Sequence, residues 1–536
     1  MDDENVVAYI YPAIGTEGYS SAAREIGNSE ADVGFVPPAL LRPESCGPSD
    51  GLSRREREPT VDAEAYSGLE YEACIKVTFD RVPKTRCGLT VGRGDGVELR
   101  FAEGAGMSSY HFALTFDDSY RLIVRDLGST YGTTVMYDLK ERGRRTNFDW
   151  IVGGSDFLEG MEIIVKVSSR LQFQLVIPQH DIESKSYREK VDRFRAGTAD
   201  AEGLLDLSHI DLQSRLKTET PSGVQTPFAQ PANDLTLKRE IGAGAFAAVY
   251  RVMNVSTGEQ YALKKPKRGT APVNAAAWER EALIMERINH HIVPLLGSRP
   301  GPAPRLRLKY IPGGSIGDHL SGGRHFSDFE CKQITAQTTD GLAYLHTLEP
   351  QIVHRDIKPH NILIEYRRPD AIFVMFADFG LSREGDLLET FCGTQLYLAP
   401  EVYQAAAVAS AEMTPYTALV DIWSLGVVVT ELVCGLPRYE KEQRMGVGWC
   451  HSVRQRAEKM CRDQPDDLLS FVLESMICLE PNARKPATDC HKEALLLLGR
   501  ARESNDEQNN SRIGSSRCSD NLESLEAPTL PPPRQA

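Results

Sequence analysis

The sequence predicts a multidomain chain: an N-terminal β-sandwich, then a two-lobed α+β domain, with disordered ends. Three observations predict it. From about residue 70 to 178, the short β-rich runs YEACIKVTFD, RLIVRDL, MEIIVKV and RLQFQLVIP are separated by Gly and Asp with no long helical pattern between them. From 234, the strand-like runs LTLKREIG, AAVYRVMN and EQYALKK precede a body of helical periodicity. The two ends are polar or Pro-rich and lack periodicity.

Taken in order, residues 1–65 are rich in Gly, Pro, Ser and charge and are expected to be disordered, with RREREP (54–59) as a solvated charge run. Residues 66–180 form the sandwich. In its last run Leu171, Phe173, Leu175 and Ile177 alternate with Gln172, Gln174 and Val176, which gives the strand one apolar face. Residues 181–233, polar and ending near ETPSGVQTPF, read as a linker with room for a short helix. Residues 234–500 form the α+β domain. There Ser327 and Glu330 stand at capping-box spacing, and Ile334, Leu342 and Leu345 share one helical face. The apolar stretch 422–436 contains Glu431 and reads as a buried helix, too short and too polar to span a bilayer. Residues 501–536, ending SLEAPTLPPPRQA, are expected to be disordered.

The 536 residues are 41% hydrophobic and 25% charged, a globular balance. A formal net charge of −14 opposes broad electrostatic binding to nucleic acid or an anionic membrane. The acidic start MDDENVVAYIYP has no secretory character. The 11 cysteines form no CxxC pair and are odd in number, which suits reduced thiols of an intracellular protein, in nucleus or cytoplasm. KKPKR (264–268) has the form of a basic localisation signal, but it ends the strand EQYALKK.

Phosphoryl transfer from ATP needs positioning and charge neutralisation more than covalent chemistry. Backbone donors for phosphates are offered by IGAGAFAAVY (241–250), where Gly242 and Gly244 let the main chain approach an anion. The covering segment is Ile241, Gly242, Ala243, Gly244, Ala245, Phe246, Ala247, Ala248 and Val249; as a bare pattern it also fits a plain hairpin. Lys264 in YALK can meet the α- and β-phosphates, and Glu281 in WEREALIMERIN can hold that lysine, although singly each also reads as a surface charge. Mg²⁺ takes oxygen ligands, which Asp378 in ADFGLS and Asn361 supply. Asp356, five residues before Asn361, can serve the acceptor hydroxyl, and Lys358 between them can neutralise the moving phosphoryl group. HRDIKPHN, then DFG, then GTQLYLAPE at 393–401 form an ordered set.

On these motifs residues 234–500 resemble a eukaryotic-type protein kinase domain. Gly242-Ala243-Gly244, Lys264, Glu281, His354-Arg355-Asp356, Asn361, Asp378-Phe379-Gly380 and Ala399-Pro400-Glu401 match its motifs, as do Asp421-Ile422-Trp423-Ser424-Leu425-Gly426 and Arg484. The resemblance implies ATP and Mg²⁺ as cofactors, Leu308 as gatekeeper, Lys309-Tyr310-Ile311 as hinge, and Ser or Thr acceptors from Lys358 following Asp356 by two. It also implies Thr390 as an activation-loop phosphosite facing Arg355, and Thr394 as a structural threonine.

LTVGRGDGVELRF (89–101), MSSYHFALTF (107–116) and VRDLGSTYGTTV (124–135) read either as ordinary hairpin turns or as one anion site. Arg93 is a fixed cation beside a Gly turn, and Ser108, Ser109 and Thr130 are short donors that can converge on a tetrahedral anion. The order of these motifs resembles the forkhead-associated (FHA) domain, a β-sandwich that binds phosphothreonine through its loops. The resemblance puts Arg93 and Ser108 on the phosphate, Ser109 and Thr130 beside it, and His111 as a brace. Ser109 stands where many members carry Arg or Asn, and Tyr131 replaces the usual Asn before Gly132.

FHA followed by kinase is the arrangement of checkpoint-type Ser/Thr kinases, which act in DNA-damage or meiotic signalling. The expected partners are protein substrates and a phosphothreonine-bearing protein, with no direct nucleic-acid or membrane contact. Self-association is a further expectation: Thr220-Pro221 and Thr226-Pro227 have the form of proline-directed sites that a second copy's FHA pocket could take, although such pairs are common in unused linkers. The alternatives are an FHA adaptor whose kinase domain is an inactive scaffold, or a kinase of another process such as autophagy.

Overall fold

In the computed structural model, residues 4–17, 19–28, 34–37, 72–101, 106–141, 143–198, 235–244, 247–267, 274–380, 383–384, 395–407, 417–438 and 446–519 are described. They group into two units, one holding residues up to Lys238 with Val252–Gln260, the other Arg239–Arg251 and the chain from Tyr261.

Period-two alternation builds the first unit. Leu171, Phe173 and Leu175 lie on one face of the strand Leu171–Val176 and are buried, and Phe173 stacks on Phe101 with ring centroids 4.8 Å apart. A sheet of seven strands runs in the spatial order Phe35–Val36, Cys74–Thr78, Val6–Pro12, Leu171–Val176, Ile163–Ser168, Thr134–Tyr137, Lys140–Glu141. A sheet of five runs Asp149–Ile151, Leu122–Asp126, Phe112–Phe116, Leu89–Gly92, Leu99–Arg100. Alternate residues of both sheets, among them Val91, Leu114, Val135 and Val165, share one core, as a sandwich requires.

Two parts of this unit lie outside the expected 66–180. Val6–Pro12, in the stretch expected to be disordered, is a strand inside the seven-stranded sheet, with Tyr9 opposite Val176 on one side and Lys76 on the other. The run VVAYIYP hides its periodicity because both faces are covered: one by the sandwich core, the other by the helix Tyr19–Asn28, which packs on it and on Leu171–Val176. The same helix accounts for the burial of Gln172 and Gln174. In the expected linker, Ser184 caps the helix Lys185–Ala196. That helix sinks Tyr187, Val191 and Phe194 into the sandwich core, with Phe194 edge-on to Phe116 at 5.5 Å. Residues 201–233, with Thr220 and Thr226, lie outside the described residues.

In the second unit a five-stranded sheet has the order Thr236–Ala243, Ala247–Asn254, Gln260–Pro266, Arg305–Lys309, Leu295–Arg299. The helix Ala275–Arg287 follows its third strand in the chain. The helix Asp328–Thr347 starts at the expected capping box, where Ser327 and Glu330 each bond the other's backbone N–H. Ile334, Leu342 and Leu345 are fully buried along it. The helix Leu419–Cys434 runs through the core, and its polar residue Glu431 accepts a hydrogen bond from the Tyr397 hydroxyl at 2.8 Å. No helix among the described residues is long and apolar enough to cross a membrane, and no disulfide links the described cysteines. The last helix, Ala487–Ser519, continues past residue 500 into the expected tail. Buried Ala494, Leu497 and Leu498 anchor it, and the sequence offers no proline to stop it before Pro528.

Truncating Phe194 empties an aromatic slot in the sandwich core. Phe194→Ala is expected to lower the stability of the first unit by ~3–5 kcal/mol in urea denaturation of the whole chain. Arg193→Ala, on the exposed side of the same helix, is expected to stay within ~0.5 kcal/mol. Equal effects from the two would make the helix a linker after all.

Candidate functional site

The second unit gathers its charged groups from three separate segments. Lys264 comes from the strand Gln260–Pro266, Glu281 from the helix Ala275–Arg287, and Asp378 from the loop after the strand Ala371–Phe376. The Lys264 Nζ lies 2.5 Å from Glu281 Oε1 and 2.8 Å from Asp378 Oδ1. Burial disfavours the ammonium, but the two carboxylates hold Lys264 above the ordinary lysine value. The same ammonium holds Asp378, whose carboxylate is partly exposed, down to about 2.

A second group forms on the loop between Ile352–Val353 and Ile362–Arg368. Asp356 Oδ2 accepts from Lys358 Nζ at 2.8 Å and from Asn361 Nδ2 at 3.0 Å; the same Nδ2 donates to the Asp356 carbonyl at 2.8 Å. The amide nitrogen of Asn361 is thereby committed within the loop, which leaves its oxygen as the end suited to a cation. This loop is tied to the segment carrying Asp378. His354 Nε2 donates to the Ala377 carbonyl at 3.1 Å, Ala377 N donates to the Asn361 carbonyl at 2.8 Å, and the rings of His354 and Phe379 lie 4.7 Å apart.

Strain accompanies the assembly. Arg355 at φ 70° and Asp378 at φ 66° occupy the left-handed region, unusual without glycine. Asp421, fully buried, holds the first of these: its carboxylate accepts from the backbone N–H of His354 at 2.9 Å and of Arg355 at 2.8 Å, and from His346 Nε2 at 2.9 Å. The motif match had marked Asp421, but its work on the His354–Arg355 backbone shows only in the fold. Arg484 meets Glu401 as a two-pronged pair at 2.6 and 2.8 Å and also donates to the Cys478 and Leu419 carbonyls.

The segment proposed to cover phosphates turns between Thr236–Ala243 and Ala247–Asn254, closed by Gly244 N donating to the Ala247 carbonyl at 2.8 Å. Ile241, Gly242, Ala243 and Gly244 are exposed, whereas Ala248 is buried and Val249 packs against the core. A Cβ on Gly242 would meet no atom within 4 Å among the described residues, so no packing there calls for glycine. Ala245 and Phe246 lie outside the described residues, as do Thr390 and Thr394. Leu308 is buried opposite Ala262 in the sheet, and Lys309 pairs with Glu365 at 2.7 Å.

In the first unit, Arg93, Ser108, Ser109 and Thr130 come together at the loop end of the sandwich. Arg93 N and Gly94 N donate to the carbonyls of Ser108 and Ser109 at 3.1 and 3.0 Å. Ser108 Oγ accepts from Thr130 N at 2.9 Å and donates to Thr130 Oγ1 at 3.3 Å. Gly92 permits this crossing: a Cβ there would sit 2.1 Å from the Ser109 carbonyl oxygen. Arg93, Ser109 and Thr130 are exposed and Ser108 is half-buried. His111 is fully buried, its Nδ1 accepts from Ser108 N at 3.1 Å, and burial holds it below the usual histidine value. Asp126 was not singled out in the sequence, yet it organises the facing loop. It accepts from Gly128 N, Ser129 N, Ser129 Oγ, Thr133 Oγ1 and Asn147 N at 2.6–3.1 Å. The available signal was an Asp before Gly-Ser at a strand end, the pattern of a side-chain-bonded turn. Tyr131, next to Thr130, is 60% exposed.

The protein kinase domain profile matches residues 235–496 and the FHA domain profile residues 89–146. A probable myosin light chain kinase of Dictyostelium discoideum is 35% identical over 217 residues, which is 40% of this chain and 66% of that protein. The serine/threonine-protein kinase RAD53 of Saccharomyces cerevisiae is 24% identical over 414 residues, 74% of this chain and 48% of that protein. The crystal structure of Rad53 1-466 in complex with AMP-PNP superposes with a TM-score of 0.49 and 22% identity, covering 77% of this chain and 94% of that one. The chain thus spans between about half and two thirds of these two curated relatives' own lengths.

Two outcomes test the site's frame. Arg484→Ala strands Glu401 without its partner and is expected to cost ~3–5 kcal/mol, read in the unfolding of the second unit. His111 binds a proton more readily unfolded than folded, so its neutral ring contributes stability at pH above ~6.5 that is lost as pH falls from there through its lower folded value. The thermal midpoint of the first unit should therefore drop on acidification from neutral pH, and drop less in His111→Asn.

Proposed function

We propose that this chain, which carries an FHA domain followed by a protein kinase domain, is an ATP-dependent serine/threonine protein kinase directed to its targets by phosphothreonine. The observation that carries the reading is the position of Lys264 between Glu281 and Asp378. A kinase needs a fixed cation for the α- and β-phosphates next to a carboxylate for metal, and chain segments 114 residues apart deliver both.

The donor set fits Mg²⁺: a carboxylate at Asp378 and the amide oxygen of Asn361 are hard oxygen ligands. When bound, ATP with Mg²⁺ supplies the phosphoryl group with part of its charge neutralised. The residues of this chain do the rest. The backbone of residues 241–249 would cover the phosphates, and Lys264 would hold them, kept in place by Glu281. Asp356, oriented by Lys358 and Asn361, would align the acceptor hydroxyl and accept its proton. Lys358 would neutralise charge on the moving group. The preference for Ser and Thr rests on Lys358 in its place after Asp356, and an intact Lys264, Asp356 and Asp378 speak for activity over a scaffold role.

In the first unit Arg93 and Ser108 would take the phosphate of a phosphothreonine peptide, with Ser109 and Thr130 beside it. Phosphorylated Thr220 or Thr226 of a second copy is one ligand of that chemistry, which would raise the local kinase concentration for activation in trans. The role we assign is signalling of the checkpoint type, in nucleus or cytoplasm.

Asp356→Ala in the full chain is expected to lower transfer of radiolabelled phosphate from ATP to a protein acceptor by at least ~100-fold. Binding of a phosphothreonine peptide should be unchanged in the same variant. Undiminished transfer would refute the role of Asp356; absent peptide binding in the wild-type chain would refute the reading of the first unit.

A further inference from the structure

Three histidines and one aspartate converge on the second unit, away from the residues assigned above. His290 and His291 lie in the turn after the helix Ala275–Arg287, Asp340 in the helix Asp328–Thr347, and His491 in the last helix. Asp340 Oδ2 is 2.8 Å from His290 Nε2 and 3.6 Å from His291 Nε2, and Asp340 Oδ1 is 3.6 Å from His491 Nε2. Among the described residues, His290, His291 and Asp340 bring their ligand atoms within 4.8 Å of one another.

The tautomers of two of these rings follow from their other contacts. His291 Nδ1 lies 3.3 Å from the Val374 carbonyl, and His491 Nδ1 lies 3.1 Å from the Ala336 carbonyl. A carbonyl can only accept, so each Nδ1 carries a proton, and in the neutral ring each Nε2 keeps its lone pair on the side of Asp340. This is the arrangement of metal-ligating histidines, whose second nitrogen donates to a backbone carbonyl that fixes the ring. The carbonyl that holds His291 is itself fixed, since Val374 N donates to Gln337 Oε1 at 2.9 Å and Gln337 Nε2 donates to the Ile372 carbonyl at 2.8 Å.

The spacing fits one ion. With metal–ligand bonds of ~2.0–2.1 Å, the edge of a tetrahedral site is about 3.3 Å, and the separations of His290 and His291 from Asp340 Oδ2, 2.8 and 3.6 Å, lie on either side of it. His290 would coordinate through Nε2 once its ring proton sits on Nδ1. The group is reachable from solvent: His290 is 46% exposed, and His291, Asp340 and His491 line a pocket bordered by Tyr366, Phe373 and Arg502.

We propose that His290, His291 and Asp340 form a structural site for Zn²⁺, with His491 held beside it on the other oxygen of Asp340. Two imidazoles and a carboxylate suit zinc, and the ion would brace the fold, since none of the residues assigned to phosphoryl transfer is among its ligands. It would join the turn behind the Glu281 helix to helix Asp328–Thr347, and His491 of the last helix meets the same site through Asp340 Oδ1.

The test uses the full chain, stripped of metal by chelator and titrated with Co²⁺ and then Zn²⁺. The expected result is the intense visible absorption of four-coordinate Co²⁺, saturating at about one equivalent per chain and bleached by Zn²⁺. Zinc is also expected to raise the thermal midpoint of the second unit. His291→Gln and Asp340→Asn should each weaken zinc binding by at least ~10-fold and remove the rise in midpoint. His290→Gln, at the most exposed of the three histidines, provides a variant that tests the site with little risk to folding. The absence of a four-coordinate spectrum in the wild-type chain would overturn the proposal. So would unchanged zinc affinity in all three variants, which would place the ion elsewhere, on cysteines for example.

Discussion

The ammonium of Lys264 lies between two carboxylates from separate later segments of the chain, Glu281 from a helix and Asp378 from a loop. A buried ammonium without such partners would lose its proton, and a buried carboxylate without a cation would gain one. Lys264 and Asp378 therefore keep each other charged, whereas Glu281 is pushed up by its burial and by the nearby Asp378 and is drawn toward its charged form by Lys264 alone. The arrangement also constrains the sheet. Lys264 is opposite Leu306 in the pairing of Gln260–Pro266 with Arg305–Lys309. A slip of one residue would turn Lys264 to the other face and bring an apolar neighbour, Leu263, toward the carboxylates. The helix Ala275–Arg287 must likewise present Glu281 inward, which it does alongside buried Ala282, Ile284 and Met285.

The rest of the cleft depends on backbone held in costly conformations. Arg355 and Asp378 sit at positive φ, and each is over-determined by its surroundings. Asp421 pins the backbone at His354 and Arg355 from within the helix Leu419–Cys434, and His354 in turn holds the carbonyl of Ala377, next to Asp378. A carboxylate on a buried helix thus transmits the position of that helix to both loops. This explains why a charged residue is kept at the start of so apolar a helix: its charge is satisfied by two backbone donors and an imidazole, and its pKa stays below the usual value although burial pushes the other way.

The two proposed phosphate sites solve different problems with different burial. In the sandwich, short donors and one arginine stand in exposed loops, arranged by a buried aspartate and a buried histidine beneath them. That suits a surface that reads a phosphate and releases it. In the second unit the cation is itself buried, where charge interactions are screened less by water. That suits a site that must stabilise charge as it moves.

Much of the cleft was legible in the linear sequence, because its parts are short motifs in a fixed order and each motif carries its own chemistry. HRDIKPHN, DFG and APE name Asp356, Asn361, Asp378 and Glu401 without reference to folding. The capping box at Ser327 and the alternation of Leu171, Phe173 and Leu175 were equally local, since caps and pleats are decided by neighbours in sequence. Other features were decided only by tertiary structure. Val6–Pro12 is a strand because two distant strands flank it, and a run covered on both faces shows no period of two. Helix Lys185–Ala196 belongs to the sandwich because Tyr187 and Phe194 meet Phe79 and Phe116 and Val191 joins the same core, not because its composition differs from a linker's. Asp126, and the meeting of His290, His291, Asp340 and His491, depend on loops and helices far apart in the chain. Spacing along a chain encodes what one segment can do by itself; which segments become neighbours is set by the burial of their apolar faces, and that sum is taken over the whole fold.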